Sequence, residues 1–224
     1  MLGAIAGDII GSAYERHNTS RYDFDLFTPQ STCTDESVLT VAVADACLRA
    51  GETGVAECLR LWADRYPHAG YGPGFLAWLG GQEVASRGNG AASRVSPIAW
   101  AVQEPVFSLG LARAQACLTH NTNDGRVSAV MVALAIQRGL HEGKDGVYSA
   151  IMHYAPVPWS YVNWPRPRKP SALARESVPA AIAAVLASTS WEDAVRRAVS
   201  LGGDSDSVAS IAGAIARQAS HQSA

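Results

Sequence analysis

Lysine is nearly absent from this sequence. Lys144 and Lys169 are the only two, and arginine supplies the rest of the 18 basic residues. Against 20 acidic residues the formal net charge is -2. That balance excludes the broad basic face needed by extended nucleic acid or an anionic bilayer, but not a small modified nucleic-acid end as substrate. Long apolar runs are also missing. No stretch approaches the roughly 20 residues of a membrane-crossing helix. Met1 to Ile10 is apolar but has no basic flank and contains Asp8, so it does not read as a signal peptide. Cysteine is sparse. Cys33, Cys47, Cys58 and Cys117 show no metal-ligand spacing and read as small hydrophobes in a reducing compartment. Alternating apolar and polar runs with hairpin turns are lacking too, which argues against a sheet. What remains is a soluble, cytoplasmic, all-α protein.

The 224 residues, 48% hydrophobic and 17% charged, suffice for one well-filled domain over 1–224. No linker or fixed repeat divides them. Gly3, Gly7 and Gly11 recur every four residues and so share one helical face. They predict a buried helix with a smooth strip along which a neighbour approaches closely. A second helix is predicted from about Asp35 to Ala50, with Gly51 as its C-cap. Further runs are Val55 to Tyr66, Pro73 to Val84, Leu109 to His120, Gly125 to Leu140, Ser177 to Ala187, Trp191 to Leu201 and Ser205 to Ala216. Arg16 to Thr32 and the Pro-rich Pro156 to Pro170 read as long loops, the first of them mobile.

Two acidic clusters stand at helix starts: Thr34-Asp35-Glu36-Ser37, and Asp204-Ser205-Asp206-Ser207 after Gly202-Gly203. Either one alone reads as a cap that complements the helix dipole. Together, each leading into an apolar helix, they predict carboxylates that converge near the core. Such carboxylates repel one another unless a cation neutralises them. All-oxygen donors suit Mg²⁺ or Mn²⁺. Glu15 ends the first helix at the mouth of a polar loop. Gly88-Asn89-Gly90-Ala91-Ala92-Ser93-Arg94 is a glycine-rich turn of the kind that admits a diphosphate, or an ordinary loop. Thr119-His120-Asn121 ends an apolar helix, where a histidine is more often a cap.

As an ordered set these features resemble the ADP-ribosylglycohydrolase family, in particular bacterial members of the dinitrogenase-reductase-activating type. Met1 to Glu15 is similar to the family's opening, and Thr34 to Ser37 to its Thr-Asp-Asp-Thr motif. Gly88-Asn89-Gly90 with Arg94 to Pro97 resembles its Gly-Asn-Gly-x-x-Met-Arg-x-x-Pro element. Thr119-His120, Ser177-Val178-Pro179 and Gly202 to Ser207 follow in the family's order.

The resemblance implies an all-α fold holding two Mg²⁺ or Mn²⁺ ions. Thr34, Asp35 and Glu36 would hold one, and Asp204, Asp206 and Ser207 the other. Glu15 and Asp35 would be catalytic. Gly88, Asn89, Gly90, Ala91 and Ser93 would line the diphosphate and ribose path, with His120 and Asn121 shaping the cleft. The implied partner is ADP-ribose on a protein, a nucleic-acid end or a metabolite. The implied reaction is hydrolysis at the terminal ribose; a module that binds ADP-ribose without turnover is the alternative. Glu36 stands where the family has Asp, and Ser93 where it has Met. The added methylene of Glu36 predicts a looser site that prefers Mn²⁺ and works faster as Asp.

Overall fold

The computed structural model describes residues 1–49, 53–154 and 169–219. In chain order the helices are α1 Leu2–Glu15, α2 Asp35–Leu48, α3 Val55–Arg65, α4 Pro73–Leu79, α5 Gly90–Ser93 and α6 Ser96–Ala101. They continue with α7 Pro105–Thr119, α8 Asn123–Tyr154, α9 Ala174–Ala187, α10 Trp191–Ser200 and α11 Ser205–Ala219. Among the described residues β pairing is confined to two isolated bridges, Ala85 with His120 and Gly88 with Leu173. The all-α expectation holds.

Helix starts follow local chemistry. Thr34 caps α2 by accepting from the Glu36 amide, Glu104 caps α7 from Phe107, and Ser190 caps α10 from Asp193. Pro73 and Pro105 occupy first-turn positions, where a missing N–H costs nothing. Several segments differ from the periodicity reading: α4 stops at Leu79 rather than Val84, and α7 begins at Pro105, a turn before Leu109. α5 and α6 are too short for a helical period to show. α8 runs on past Leu140 through a break at Gly143, whose φ of 60° no ordinary helical residue adopts. α9 begins at Ala174, one turn before Ser177, so Pro179 lies inside it. The proposed C-cap Gly51, and most of the Pro156 to Pro170 loop, lie outside the described residues.

α11 is the axis of the molecule. Every residue from Ser205 to Ala216 is buried, and beyond the polar first turn nearly all are small or apolar, as expected of a helix enclosed on all sides. It packs on α1, α8, α9 and α10. The contact with α1 is the closest. A Cβ on Gly3 would come 2.3 Å from the Gly213 carbonyl oxygen, and one on Gly11 would come 2.4 Å from that of Ser205. As α1 advances its partners on α11 recede, so the two helices run antiparallel. The end of α1 therefore meets the start of α11, and α2 joins that corner through its own first turn.

The segment from Arg16 to Thr32 touches the helices at its middle. Phe24 is buried against Tyr14, ring centroids 4.7 Å apart, and the Tyr14 hydroxyl donates to the Asp25 carbonyl at 2.6 Å. Arg196 of α10 donates to the carbonyls of Tyr22 and Phe24.

Candidate metal centre and substrate cleft

Three helix ends build the corner. Asn18, just past α1, ties it together: its Nδ2 donates to the carbonyls of Tyr14, Glu15 and Gly203, and its Oδ1 accepts from the Gly203 amide at 3.0 Å. Gly202 and Gly203 adopt φ of 68° and 75°, the left-handed region open to glycine. A Cβ on Gly203 would meet the Pro170 carbonyl oxygen at 2.2 Å, and the Asp204 amide donates to that same oxygen. The double-glycine turn thus delivers Asp204 and Asp206 beside Glu15.

A carboxylate oxygen from each of Glu15, Asp204 and Asp206 lies within 4.8 Å of the others. Glu15 is exposed, Asp204 half-buried and Asp206 buried. None of the ion pairs among the described residues involves them. Burial, then the neighbouring Asp204 and Glu36, pushes Asp206 far above the ordinary carboxylate range. An all-oxygen cluster without a cationic side chain fits a hard divalent cation.

Asp35 lines the same cleft. Burial first, then the charge of Asp8, raises its carboxyl to about 7. Its two sequence neighbours are otherwise engaged. Thr34 Oγ1 donates to Asp8 Oδ1 at 2.6 Å. Glu36 accepts from Ser207 Oγ at 2.7 Å through Oε1 and from Ser93 Oγ through Oε2. Glu36 and Ser207, expected as ligands of separate metals, thus bond to each other and lock the starts of α2 and α11 together.

Sequence reasoning missed Asp8 as part of this site. It is fully buried in α1, and Oδ2 accepts from the amides of Thr34 at 3.0 Å and Ser37 at 3.1 Å. Asp8 thereby sets the first turn of α2, and burial raises its own carboxyl. A single Asp inside an otherwise apolar, glycine-striped helix was the available signal.

The cleft occupies about 780 Å³ and is lined by Glu15, Thr34, Asp35, Glu36, Asp204, Asp206 and Ser207 on one side. Gly88, Asn89, Gly90, Arg94 and His120 line another part. Asn89 Nδ2 donates to Asp204 Oδ2 at 2.6 Å and to Ser177 Oγ, joining the glycine-rich turn to the acidic cluster. In that turn the Gly88 amide goes to Ser86 Oγ and the Asn89 amide to the Ala172 carbonyl. The Gly90 amide has no partner among the described residues. Ala91 and Ser93 are buried behind the turn. Asn121 is exposed outside the cleft, accepting from Arg126 at 2.6 Å.

Comparison with known proteins agrees with this architecture. Residues 1–216 match the family model described as ADP-ribosylglycohydrolase. The chain is 27% identical over 171 residues to ADP-ribosylhydrolase ARH3 of Xenopus tropicalis, a match covering 62% of this chain and 49% of that protein. It thus spans about half the length of that curated relative. A solved structure described as an ADP-ribosylglycohydrolase-related protein complex superposes with a TM-score of 0.79 at 22% identity, over 97% of this chain and 84% of that one. That likeness is one of fold.

Proposed function

From the premise that this chain belongs to the ADP-ribosylglycohydrolase family, we propose that it is a metal-dependent hydrolase that releases ADP-ribose by cleaving the glycosidic bond at the terminal ribose. The single observation that carries the reading is the convergence of Glu15, Asp204 and Asp206 within one cleft, with Asp35 on the same wall. Glu15, Asp204 and Asp206 would hold one Mg²⁺ or Mn²⁺, and Asp35 is the carboxylate left to hold a second. Bound divalent cations supply polarisation of water and of ribose hydroxyls.

The chain's own groups do the rest. Asp206 is fixed by the Ser207 amide, 2.9 Å from Oδ1, and Asp204 by Asn89, and the two carboxyls lie within hydrogen-bond reach of each other. Glu15, at the exposed rim of the cleft, is open to solvent, a position that suits a group serving an attacking water and the leaving group in turn. The glycines of the 88–90 turn let the nucleotide approach the backbone. The substrate is an ADP-ribosylated protein, nucleic-acid end or metabolite.

ADP-ribose release measured with and without Mg²⁺ or Mn²⁺ tests the reading. Glu15→Gln is expected to keep ADP-ribose binding and lose at least about 100-fold in turnover, the usual contribution of a general acid or base. Unchanged turnover would remove Glu15 from the mechanism.

One observation favours the alternative of binding without turnover. Both oxygens of Glu36 are taken by serine hydroxyls, so the ligand set around the second ion is thinner than the motif implies. A protein that binds ADP-ribose and metal yet releases nothing from any ADP-ribosylated substrate would establish it.

A further inference from the structure

Arg94 is the bulkiest fully buried side chain among the described residues, and its guanidinium bonds to no carboxylate. Nε donates to Gln115 Oε1 at 2.8 Å. Nη2 donates to Thr119 Oγ1 at 2.8 Å and to the Gln115 carbonyl at 3.3 Å. Gln115 is itself anchored by donation to the Ala91 carbonyl at 2.7 Å. Thr119 Oγ1 then lies 2.7 Å from His120 Nδ1.

The direction of the protons follows by elimination. Arginine only donates, so Thr119 Oγ1 accepts from Arg94 and its hydroxyl hydrogen needs an acceptor of its own. Thr119 is fully buried, and His120 Nδ1 is the remaining acceptor it meets among the described residues. A proton on Nδ1 would strand that hydroxyl hydrogen in the interior, which native proteins rarely tolerate. Nδ1 is therefore the acceptor, and the ring proton belongs on Nε2.

We infer that Arg94 and Thr119 lock His120 in the neutral Nε2–H tautomer, presenting one uncharged donor of fixed direction to an oxygen of ADP-ribose in the cleft. The identity of that ligand rests on the function proposed above. Nε2 faces the glycine-rich turn: a Cβ on Gly88 would come 3.5 Å from it, and one on Gly90 would come 3.6 Å from it. It has no partner among the described residues, and Gly88, Gly90 and His120 all line the cleft. Burial, then the charge of Arg94, opposes protonation and holds the imidazole down at about 3. The neutrality has a purpose. An imidazolium here would attract the acidic cluster and compete with its cation, whereas a neutral N–H binds an oxygen without doing so. Arg94 and Thr119 are thus positioning residues that act through His120.

Two-bond proton–nitrogen spectra of the full chain, labelled at histidine, test this directly. His120→Asn identifies the resonance. The wild type is expected to show the Nε2–H pattern from pH 7 down to pH 5, and that signal should move when ADP-ribose is added. Thr119→Ser should keep the tautomer. Thr119→Val should lose it and weaken ADP-ribose binding about tenfold, the worth of one good hydrogen bond. A proton on Nδ1, or a charged ring at pH 7, overturns the lock. A fixed tautomer whose signal stays unmoved with ADP-ribose bound overturns the donor role. If Thr119→Val does not fold, the wild-type spectra decide alone. A correct tautomer in a protein that binds no ADP-ribose leaves the lock standing and removes the functional reading instead.

Discussion

Gly7 of α1 lies so close to Ala209 of α11 that a Cβ added to Gly7 would come 2.1 Å from the Ala209 carbonyl oxygen. That carbonyl is backbone and cannot yield, so Gly7→Ala must push the two helices apart. Because Glu15 rides on α1 and Asp206 on α11, the wedge also opens the acidic cluster. We expect Gly7→Ala to lose about 1–3 kcal/mol or more in urea unfolding, as overpacking does, and to weaken Mn²⁺ binding. Gly110→Ala is the control, since its Cβ would meet nothing within 4 Å in mid-α7. It should gain a few tenths to about 1 kcal/mol from helix propensity. Equal effects from the two changes would contradict the close-packing account.

Asp206→Asn keeps the shape of the side chain and an oxygen for the Ser207 amide but removes a charge. Calorimetric titration should show divalent-metal binding lost or weakened at least about 100-fold, with the fold intact, because a hard cation depends on its carboxylates. Without metal the variant should be no less stable than the wild type at pH 8, since an amide sits uncharged in that buried acidic site without having to take up a proton on folding. Wild-type metal affinity in this variant would refute the assigned centre.

The raised carboxyls make a pH prediction whose sign is fixed. Asp35, at about 7, Glu36, at about 8, and Asp206, at about 10, all sit above their ordinary values, Glu36 chiefly through burial. In the metal-free protein the folded state therefore binds more protons than the unfolded chain between about pH 4 and about pH 10. Stability is greatest at the acid end of that window and is lost as pH rises through it. Thermal unfolding in chelator should move to lower temperature from pH 5 to pH 9, and Mn²⁺ should shrink the decline by favouring the ionised carboxylates. A metal-free protein that stabilises as pH rises over this range would contradict the assignment.

Glu36 is long enough to reach both Ser93 and Ser207. Shortening it to Asp removes a methylene and breaks at least one of these two bonds, at a cost of about 1–3 kcal/mol. The geometry therefore reverses the expectation from the motif: Glu36→Asp should be less stable and slower, not faster. Glu36→Gln keeps the length and should change Mn²⁺ affinity less than about threefold, far less than Asp206→Asn. A loss equal to that of Asp206→Asn would make Glu36 a metal ligand after all.

Much of this was legible in the residues because the relevant signals are local. Small residues at Gly3, Gly7 and Gly11 can only mean close approach on one helical face, and α11 is the helix that uses it. The acidic starts of α2 and α11 carried their chemistry in short motifs. What stayed hidden depends on contacts across the chain. Asp8 looks like a stray charge until packing brings the Thr34 and Ser37 amides to it. Asn18 is one polar residue of a loop until Gly203 closes on it. The bond between Glu36 and Ser207 spans most of the sequence, so no spacing rule could reveal that two expected ligands satisfy each other.

The antiparallel pairing of α1 with α11 also sets a timetable. α1 is translated long before α11, the helix it packs against most closely among the described elements, and until then its glycine strip has no mate. Helices α7 to α10 lie closer in sequence to their neighbours and can dock earlier, because short loops close at smaller entropic cost. The acidic corner is therefore assembled late. A nascent chain exposes no organised cation site until α11 slides along α1, and an unfinished chain has an open groove where that helix belongs, the kind of surface chaperones engage.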